Sequence, residues 1–296
     1  MLRIASRGSQ LALWQSRWVA GRLGGLGEEA GIDVIRTTGD KITDVALSKV
    51  GGKGLFTKEL EDALIEGRAD LAVHSLKDMP VELPAGLVLA AVPVREDPRD
   101  AMVGARLADL PAGARVGTSS LRREAQLRRA RPDLVIESIR GNLDTRLRKL
   151  DEGQYDAIVL AAAGLRRLGW ESRIAELLPV EVMCPAVGQG ALAVETREDP
   201  PAACLRLEDG AVRACVDAER AFLGALGGGC QVPIGAHGSI VDGSLRLDGL
   251  VIAPDGSRLL RSEVSGPVCD AEGLGRELAR ELLGAGARAI IEPVRQ

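Results

Sequence analysis

The thiol of Cys230 is the first candidate for chemistry, because three glycines precede it and Pro233 follows shortly after. Glycine adds no side chain to a core and loses more conformational freedom on folding than other residues, so packing does not explain the run Gly227-Gly228-Gly229. A thiol on such a segment could be a nucleophile, the attachment point of a prosthetic group, or a small buried hydrophobe. The glycines favour an exposed cysteine that something large approaches.

A lysine and a carboxylate follow the segment Asp70–Ser75, which is predicted to be a buried strand running into Leu76-Lys77-Asp78-Met79-Pro80. In open α/β sheets, ligands bind outside the carboxyl ends of the strands. Lys77 and Asp78 are therefore expected where chemistry usually takes place, with a solvated surface turn as the alternative. The strand direction and Pro80 favour a functional Asp78.

Basic side chains are concentrated between Arg115 and Lys149, where ten Lys or Arg stand against four Asp or Glu in a chain whose net charge is −4. Such a local excess indicates an anionic ligand. The hydroxyls of residues 118–120 precede a predicted helix that begins with Arg122 and Arg123, which makes this turn a candidate anion site. Five of the basic residues are expected to be solvated: Arg128, Arg129, Arg131, Arg148 and Lys149.

The first loop of the chain, Ser6-Arg7-Gly8-Ser9, joins a predicted strand to a predicted helix. Ser9 is expected to cap this helix, and Arg7 would add positive charge near the free N–H groups of its first turn. Leu11, Trp14 and Trp18 are predicted to lie on one face of this helix.

Glycines alternate with lysines in the segment that contains Lys49, Lys53 and Phe56. This composition is typical of a mobile loop or lid that holds an anion. The spacing is not that of a Walker motif, so nucleotide binding is not predicted.

Length and composition predict several domains, since 296 residues with 46% hydrophobic content exceed what a single core usually serves. Two Pro- and Gly-marked crossings, at residues 93–100 and 185–190, divide the chain. We expect two α/β domains joined by a two-strand hinge, plus a small C-terminal α+β domain that carries Cys230. The predicted boundaries are 1–95 with 190–208 for the first domain, 99–186 for the second and 211–296 for the third.

Several classes of protein are disfavoured. Five scattered cysteines and two histidines predict neither a disulfide framework nor a metal site. No apolar run reaches the ~18 residues of a membrane span, and the N-terminus has no signal-peptide layout, so the chain is interpreted as cytoplasmic and free of membranes. Aromatic residues are only 2% of an acidic chain, which argues against nucleic-acid binding. A two-lobed anion-binding protein is an alternative, but it leaves Cys230 and Asp78 unexplained.

Seven motifs in this order resemble the porphobilinogen deaminase (hydroxymethylbilane synthase) family over residues 1 to about 240. The first four are Ala5-Ser6-Arg7-Gly8-Ser9, Val50-Gly51-Gly52-Lys53-Gly54-Leu55-Phe56, His74-Ser75-Leu76-Lys77-Asp78-Met79-Pro80 and Gly117-Thr118-Ser119-Ser120-Leu121-Arg122-Arg123. The others are Arg140-Gly141-Asn142, Pro185-Ala186-Val187-Gly188-Gln189-Gly190 and Gly228-Gly229-Cys230-Gln231-Val232-Pro233-Ile234-Gly235. The resemblance implies two domains like those of type II periplasmic binding proteins, followed by a small domain that carries the thiol.

The resemblance also implies an activity. Such an enzyme works as a monomer, joins four porphobilinogen molecules head to tail with release of ammonia, and builds the chain on a dipyrromethane primer bound by thioether to Cys230. Porphobilinogen carries an acetate and a propionate, so a growing chain accumulates carboxylates, for which the planar fork of arginine is suited. Asp78 would be the catalytic group, because a carboxylate near the pyrrole nitrogens stabilises their developing positive charge.

The remaining roles are implied residue by residue. The primer would be bound by Lys77, Asp78, Thr118, Ser119, Ser120, Arg122, Arg123 and Arg146. The incoming substrate would be bound by Arg7, Ser9, Gln15, Arg140, Arg146 and Arg167. The mobile loop would contribute Lys49, Lys53 and Phe56.

Overall fold

The computed structural model describes residues 1–38, 57–227 and 232–294. The strands, in chain order, are β1 (Leu2–Arg7), β2 (Ala30–Ile35), β3 (Leu71–Ser75), β4 (Leu87–Ala91), β5 (Asp100–Val103), β6 (Arg115–Gly117), β7 (Val135–Glu137), β8 (Ala157–Ala161), β9 (Ile174–Leu177), β10 (Leu192–Arg197), β11 (Ile234–Val241), β12 (Ser244–Ile252) and β13 (Leu259–Pro267). The α-helices are α1 (Gln10–Gly25), α2 (Lys58–Ile65), α3 (Leu121–Ala130), α4 (Leu143–Asp151), α5 (Ala162–Arg167), α6 (Ala202–Leu205), α7 (Gly210–Ala225), α8 (Ala271–Gly284) and α9 (Arg288–Ile291).

Two five-stranded sheets share one arrangement. The first has the order β2-β1-β3-β10-β4 and the second β7-β6-β8-β5-β9. In each, the first three strands are parallel, and the fourth runs antiparallel to its neighbours. The fourth strand in each case directly follows a crossing between the sheets, which is how two connections build one hinge. The predicted pair of hinged α/β domains is confirmed.

The C-terminal part forms an antiparallel sheet, β11-β12-β13, covered by α7 and α8. Its core contains Phe222, Leu245, Leu247 and Leu278, all fully buried. The two helices pack closely because Gly275 of α8 leaves room for the backbone of α7, where an added Cβ would lie 2.3 Å from the Ala218 carbonyl oxygen. The predicted small α+β unit is therefore present.

The two crossings touch each other through backbone. Glu96 N–H donates to the Gly190 carbonyl at 3.1 Å. Gly190 has a φ of +88°, and a Cβ there would lie 2.3 Å from the Glu96 oxygen, so only glycine fits this contact. Arg95 of the first crossing is held by Glu219 of α7 at 2.7 Å, which attaches the hinge to the third sheet's helices.

Leu11, Trp14 and Trp18 of α1 are all partly buried, and Trp18 packs against the core of the first sheet. The buried residues of the helix are Ala12, Gln15, Ser16, Val19 and Leu23. The helix lies between its own sheet and the second α/β unit, so it carries apolar side chains on two faces. Sequence periodicity alone does not tell which face meets which partner.

Candidate functional site

A cavity of about 550 Å³ opens between the two five-stranded sheets. Its walls come from the loop after β1, the end of β3, the loop before α4, helix α5 and the second crossing. Of the described residues that line it, seven are cationic and two are carboxylates. The cations are Arg7, Lys77, Arg123, Arg140, Arg146, Lys149 and Arg167, and the carboxylates are Asp78 and Asp144.

Asp78 ends a short 3-10 helix, Leu76–Asp78, that directly follows β3. Leu76 anchors this turn, because its side chain is buried and its N–H donates to the Ala191 carbonyl at 3.1 Å. Gly188 packs against Leu76 so closely that a Cβ there would lie 2.2 Å from its Cδ2. Asp78 itself stays exposed at the cavity wall. The predicted position of Asp78 at the carboxyl end of a buried strand is confirmed.

Lys77 lies beside Asp78 and faces the hinge. Its Nζ donates to Oε1 of Gln189 at 3.4 Å. Burial, followed by repulsion from Arg123, lowers the pKa of Lys77 to about 8. A lysine in such surroundings is stabilised in its charged form by an incoming carboxylate.

Arg122 and Arg123 are both buried, with exposures of 4% and 6%, and both bind the carboxylate of Asp100. Arg122 Nη1 donates to Asp100 Oδ2 at 2.7 Å, and Arg123 Nη2 donates to Oδ1 at 2.7 Å. Burial alone would raise the pKa of Asp100, but the two guanidiniums outweigh it and hold that pKa well below its usual range. Of this pair, only Arg123 lines the cavity.

The hydroxyl turn before α3 faces protein groups. Ser119 Oγ donates to the Ile139 carbonyl at 2.6 Å, and the Thr118 hydroxyl accepts from Ser120 N–H at 3.2 Å. Ser120 occupies the N-cap position of α3, but its side chain makes no capping hydrogen bond. None of these three residues lines the cavity, so their predicted contact with an anion stays a prediction.

The loop before α4 brings Arg140 to the cavity, and α4 itself brings Arg146 and Lys149. Arg146 Nε donates to the Gly141 carbonyl at 2.8 Å, and Lys149 Nζ donates to the Arg140 carbonyl at 3.2 Å. Burial, together with repulsion from Arg123, lowers the pKa of Arg146 to about 10. The prediction that Lys149 is merely solvated is wrong, because the end of α4 turns it towards the cavity wall.

The loop before α1 and helix α5 form the facing wall. Ser9 caps α1 as predicted, since its Oγ accepts from Ala12 N–H at 3.3 Å. Gln15 is buried and donates to Ser75 Oγ at 2.9 Å. Arg167 donates to the Gly190 carbonyl at 2.6 Å and lies over the ring of Trp14, with 5.9 Å between Cζ and the centroid.

Four predicted residues lie outside the described part of the chain: Cys230, Lys49, Lys53 and Phe56. Of the four cysteines that are described, Cys269 is exposed and the other three have no catalytic setting. Cys184, Cys204 and Cys215 are buried, and burial raises the pKa of the last two thiols to about 11, which keeps them protonated.

Two residues of the site were not singled out from the sequence, namely Asp100 and Gln189. Asp100 accepts from Arg122, Arg123 and Gln189, and it is fully buried at the start of β5. The sequence signal for Asp100 is its place directly before the apolar segment Ala101-Met102-Val103, which indicates a buried strand. A buried acid at the start of such a strand requires cationic partners.

Two searches of the described residues are negative. Within residues 1–38, 57–227 and 232–294, no group of three or more His, Cys, Asp or Glu is arranged to hold a metal ion. In the same ranges, no helix has the length and apolarity needed to cross a membrane.

Comparison with known proteins gives consistent matches along the chain. A family model described as "Porphobilinogen deaminase, dipyromethane cofactor binding domain" matches residues 2–204, and one described as "Porphobilinogen deaminase, C-terminal domain" matches residues 213–284. The "Porphobilinogen deaminase" of Thiobacillus denitrificans is 55% identical over 98% of this chain and 98% of its own. That of Pelobacter propionicus is 54% identical over 100% of this chain and 97% of its own.

Solved structures of solute-binding proteins are distant neighbours. An ABC transporter periplasmic substrate-binding protein from Coxiella burnetii has a TM-score of 0.45 and 14% identity, and the match covers 70% of this chain and 90% of that one. The methionine-binding protein MetQ has a TM-score of 0.44 and 12% identity, and the match covers 70% and 87%. Likenesses of this size carry no information about ligand or activity.

Proposed function

This chain belongs to the porphobilinogen deaminase family, and from that premise we propose that it joins four porphobilinogen molecules head to tail on a covalently held dipyrromethane primer. Ammonia leaves at each addition, and the product is the linear tetrapyrrole hydroxymethylbilane. The observation that carries the proposal is the cavity wall, where seven cations face two carboxylates, one of them Asp78. A polycarboxylate ligand and one acid–base group are what this lining suits.

The residues of this chain fit the primer. Its carboxylates need fixed cations, and Arg123 and Lys77 lie together at the cavity wall, with Asp100 holding the guanidinium in place. The buried Nε of Arg122 has no hydrogen-bond partner among the described residues, but Arg122 does not line the cavity, so its proposed contact with the primer rests on the family motif. When bound, the dipyrromethane supplies the terminal pyrrole carbon to which the first substrate is joined. Cys230 is the proposed attachment point, on the basis of its glycine-rich motif.

The incoming porphobilinogen is proposed to bind in the same cavity through its other cations. Arg7, Arg140, Arg146 and Arg167 line the cavity, and Ser9 completes the loop before α1. Charge-assisted hydrogen bonds from guanidinium to carboxylate are among the strongest in proteins, and they also orient the ligand. Gln15 holds Ser75 at the end of β3, next to the turn that carries Asp78.

Asp78 is proposed as the catalytic group. Loss of ammonia leaves an electron-poor carbon on the substrate, and the pyrrole N–H groups become positive as the new bond forms. A carboxylate close to those nitrogens stabilises this charge and can accept the proton released from the pyrrole carbon. Asp78 suits this role because its turn is fixed by Leu76 and Gly188 while its side chain stays open to the cavity.

The test is turnover of porphobilinogen by the purified full chain, with ammonia and linear tetrapyrrole measured together. We expect four ammonia molecules per product, and a loss of about 10² to 10⁴ in kcat for Asp78→Asn. Asp109→Asn is the matched control, because Asp109 also ends an exposed 3-10 turn but lies away from the cavity. Binding of porphobilinogen without ammonia release would instead support the anion-binding alternative.

We also propose that the chain acts in the cytoplasm as a monomer without a metal, on the basis of the family to which it belongs. Light scattering during gel filtration and activity after treatment with EDTA test these two points. The proposed domain boundaries, 1–95 with 190–208, 99–186 and 211–296, are supported by the way the three sheets divide the chain.

A further inference from the structure

Gln189 connects both crossings with both α/β units, although it touches no solvent. Its Nε2 donates to the Pro98 carbonyl at 2.7 Å and to Asp100 Oδ1 at 2.9 Å. Because both acceptors lie on the nitrogen side, the amide oxygen is directed the other way, where it accepts from Lys77 Nζ at 3.4 Å. One side chain thus connects the lysine beside Asp78 to the carboxylate that holds Arg122 and Arg123.

The backbone of Gln189 is equally fixed. Its N–H donates to the Ala186 carbonyl at 2.9 Å, and its carbonyl accepts from Arg95 Nε at 2.9 Å. The residues on either side, Gly188 and Gly190, both have positive φ and make contacts that exclude a Cβ. The amide therefore has little freedom to turn, and its polarity is imposed from several sides.

We propose that Gln189 is a positioning residue that fixes the Lys77 ammonium, on one side of the hinge, relative to the Asp100-bound arginine pair on the other side. The inference rests on the proposed function, since it assigns Lys77 and Arg123 to one carboxylate-bearing ligand. Gln189 acts through these neighbours and does not itself line the cavity.

Only an amide satisfies both neighbours at once. It donates to Asp100 and accepts from Lys77, whereas a glutamate would repel Asp100 and pair with the lysine, and a methionine would do neither. The neutral oxygen also leaves the positive charge of Lys77 for the ligand. A carboxylate in its place would compete for that charge.

The ionisation of Lys77 reports on this contact. The charged groups that act on it are Asp78 and Asp100, which favour the ammonium form, and Arg123 and Arg122, which disfavour it. The Gln189 amide oxygen, as a hydrogen-bond acceptor, also favours the ammonium form of Lys77. Removing that acceptor should lower the pKa of Lys77, and replacing it by a carboxylate should raise it.

The experiment measures reductive methylation of Lys77 against pH, by peptide mapping, in the full chain as purified. Since only the uncharged amine reacts, the midpoint of the rate curve gives the pKa regardless of accessibility. We expect the midpoint to move up in Gln189→Glu and down in Gln189→Met, with wild type between them. Gln154→Met is the control, because the side chain of this exposed glutamine donates to Glu152, away from Lys77, and the variant should keep the wild-type midpoint.

A midpoint that is the same in wild type and both Gln189 variants would overturn the inference. If neither variant folds, the wild-type chain still decides: the side-chain amide resonance of Gln189 must shift with pH at the midpoint of Lys77, and a pH-independent resonance would overturn the inference. Neither readout requires turnover. Failure to convert porphobilinogen would therefore refute the proposed function and leave the Lys77 measurement valid. An unchanged Lys77 midpoint would refute the role of Gln189 and leave the proposed function standing.

Discussion

Two pairs of arginines in the second α/β unit are held in opposite ways. Arg122 and Arg123 bind a carboxylate, Asp100, which accepts from both at 2.7 Å. Both also donate to backbone carbonyls, those of Cys184 and Val159. Arg146 and Arg167 have no ion pair of this kind in the described ranges, and they donate to the carbonyls of Gly141 at 2.8 Å and Gly190 at 2.6 Å. We call the first pair the carboxylate-held arginines and the second pair the carbonyl-held arginines.

This difference indicates two roles for the arginines, one in stability and one in substrate binding. Asp100 neutralises one of the two positive charges of the carboxylate-held arginines in a buried ion pair, so their first effect is on the stability of the hinge region. The carbonyl-held arginines are desolvated, and the more distant carboxylates of Asp78 and Glu96 compensate only in part, so burial lowers the pKa of each to about 10. A cation in that state gains most from an anionic ligand. Stability should therefore depend on the first pair and substrate affinity on the second.

The largest effect is expected for Asp100→Asn. Two buried guanidiniums would lose their carboxylate, and breaking a buried ion pair in this way typically costs about 3–5 kcal/mol in the free energy of unfolding. Urea titration of the full chain measures it. Asp133→Asn, which removes the surface partner of Arg131, should leave the unfolding free energy within error of wild type. Equal stability of both variants would contradict a structural role for Asp100.

A smaller effect, on substrate affinity and not on stability, is expected for Arg146→Gln. Loss of charge-assisted hydrogen bonds to a substrate carboxylate removes about 1.5–3 kcal/mol, or roughly ten- to a hundredfold in kcat/KM. The urea midpoint should hardly move. Arg148→Gln is the control on the same helix, since Arg148 is exposed and lies 3.9 Å from Glu152. If Arg146→Gln lost stability and kept kcat/KM, the comparison would be wrong.

The smallest effect is the response to salt. Raising the ionic strength from about 0.05 M to about 0.5 M shortens the Debye length several-fold, so attraction between cavity cations and a free substrate should weaken. We expect KM for porphobilinogen to rise a few-fold. The difference in unfolding free energy between wild type and Asp100→Asn should stay constant, because the pair is buried. A KM that ignores salt would argue against electrostatic capture.

Local patterns in the sequence predicted the parts of the site that depend on neighbours along the chain. The placement of Asp78 follows from the direction of one strand, and the Ser9 cap follows from a strand-loop-helix pattern. The two crossings could be predicted because Pro and Gly mark them. These features are fixed within a few residues, so periodicity and turn chemistry are sufficient.

Features that depend on distant partners could not be predicted in this way. The acceptor of Arg122 and Arg123 lies 22 and 23 residues earlier, at Asp100, and no spacing rule connects them. Strand β9 could not be predicted from local patterns, because the short segment Ile174–Leu177 is a strand through its pairing with β5. The buried face of α1 and the direction of Lys149 were also decided by contacts between sheets.

The most direct measurement is the intact mass of the denatured, active protein. The account predicts an increment that matches two pyrrole units, present in wild type and in Asp109→Asn and absent in Cys230→Ser. After brief exposure to porphobilinogen, wild-type molecules that carry the primer should gain the mass of further pyrrole units. Molecules without the primer should not. A bare-chain mass in protein that turns over porphobilinogen would contradict the account.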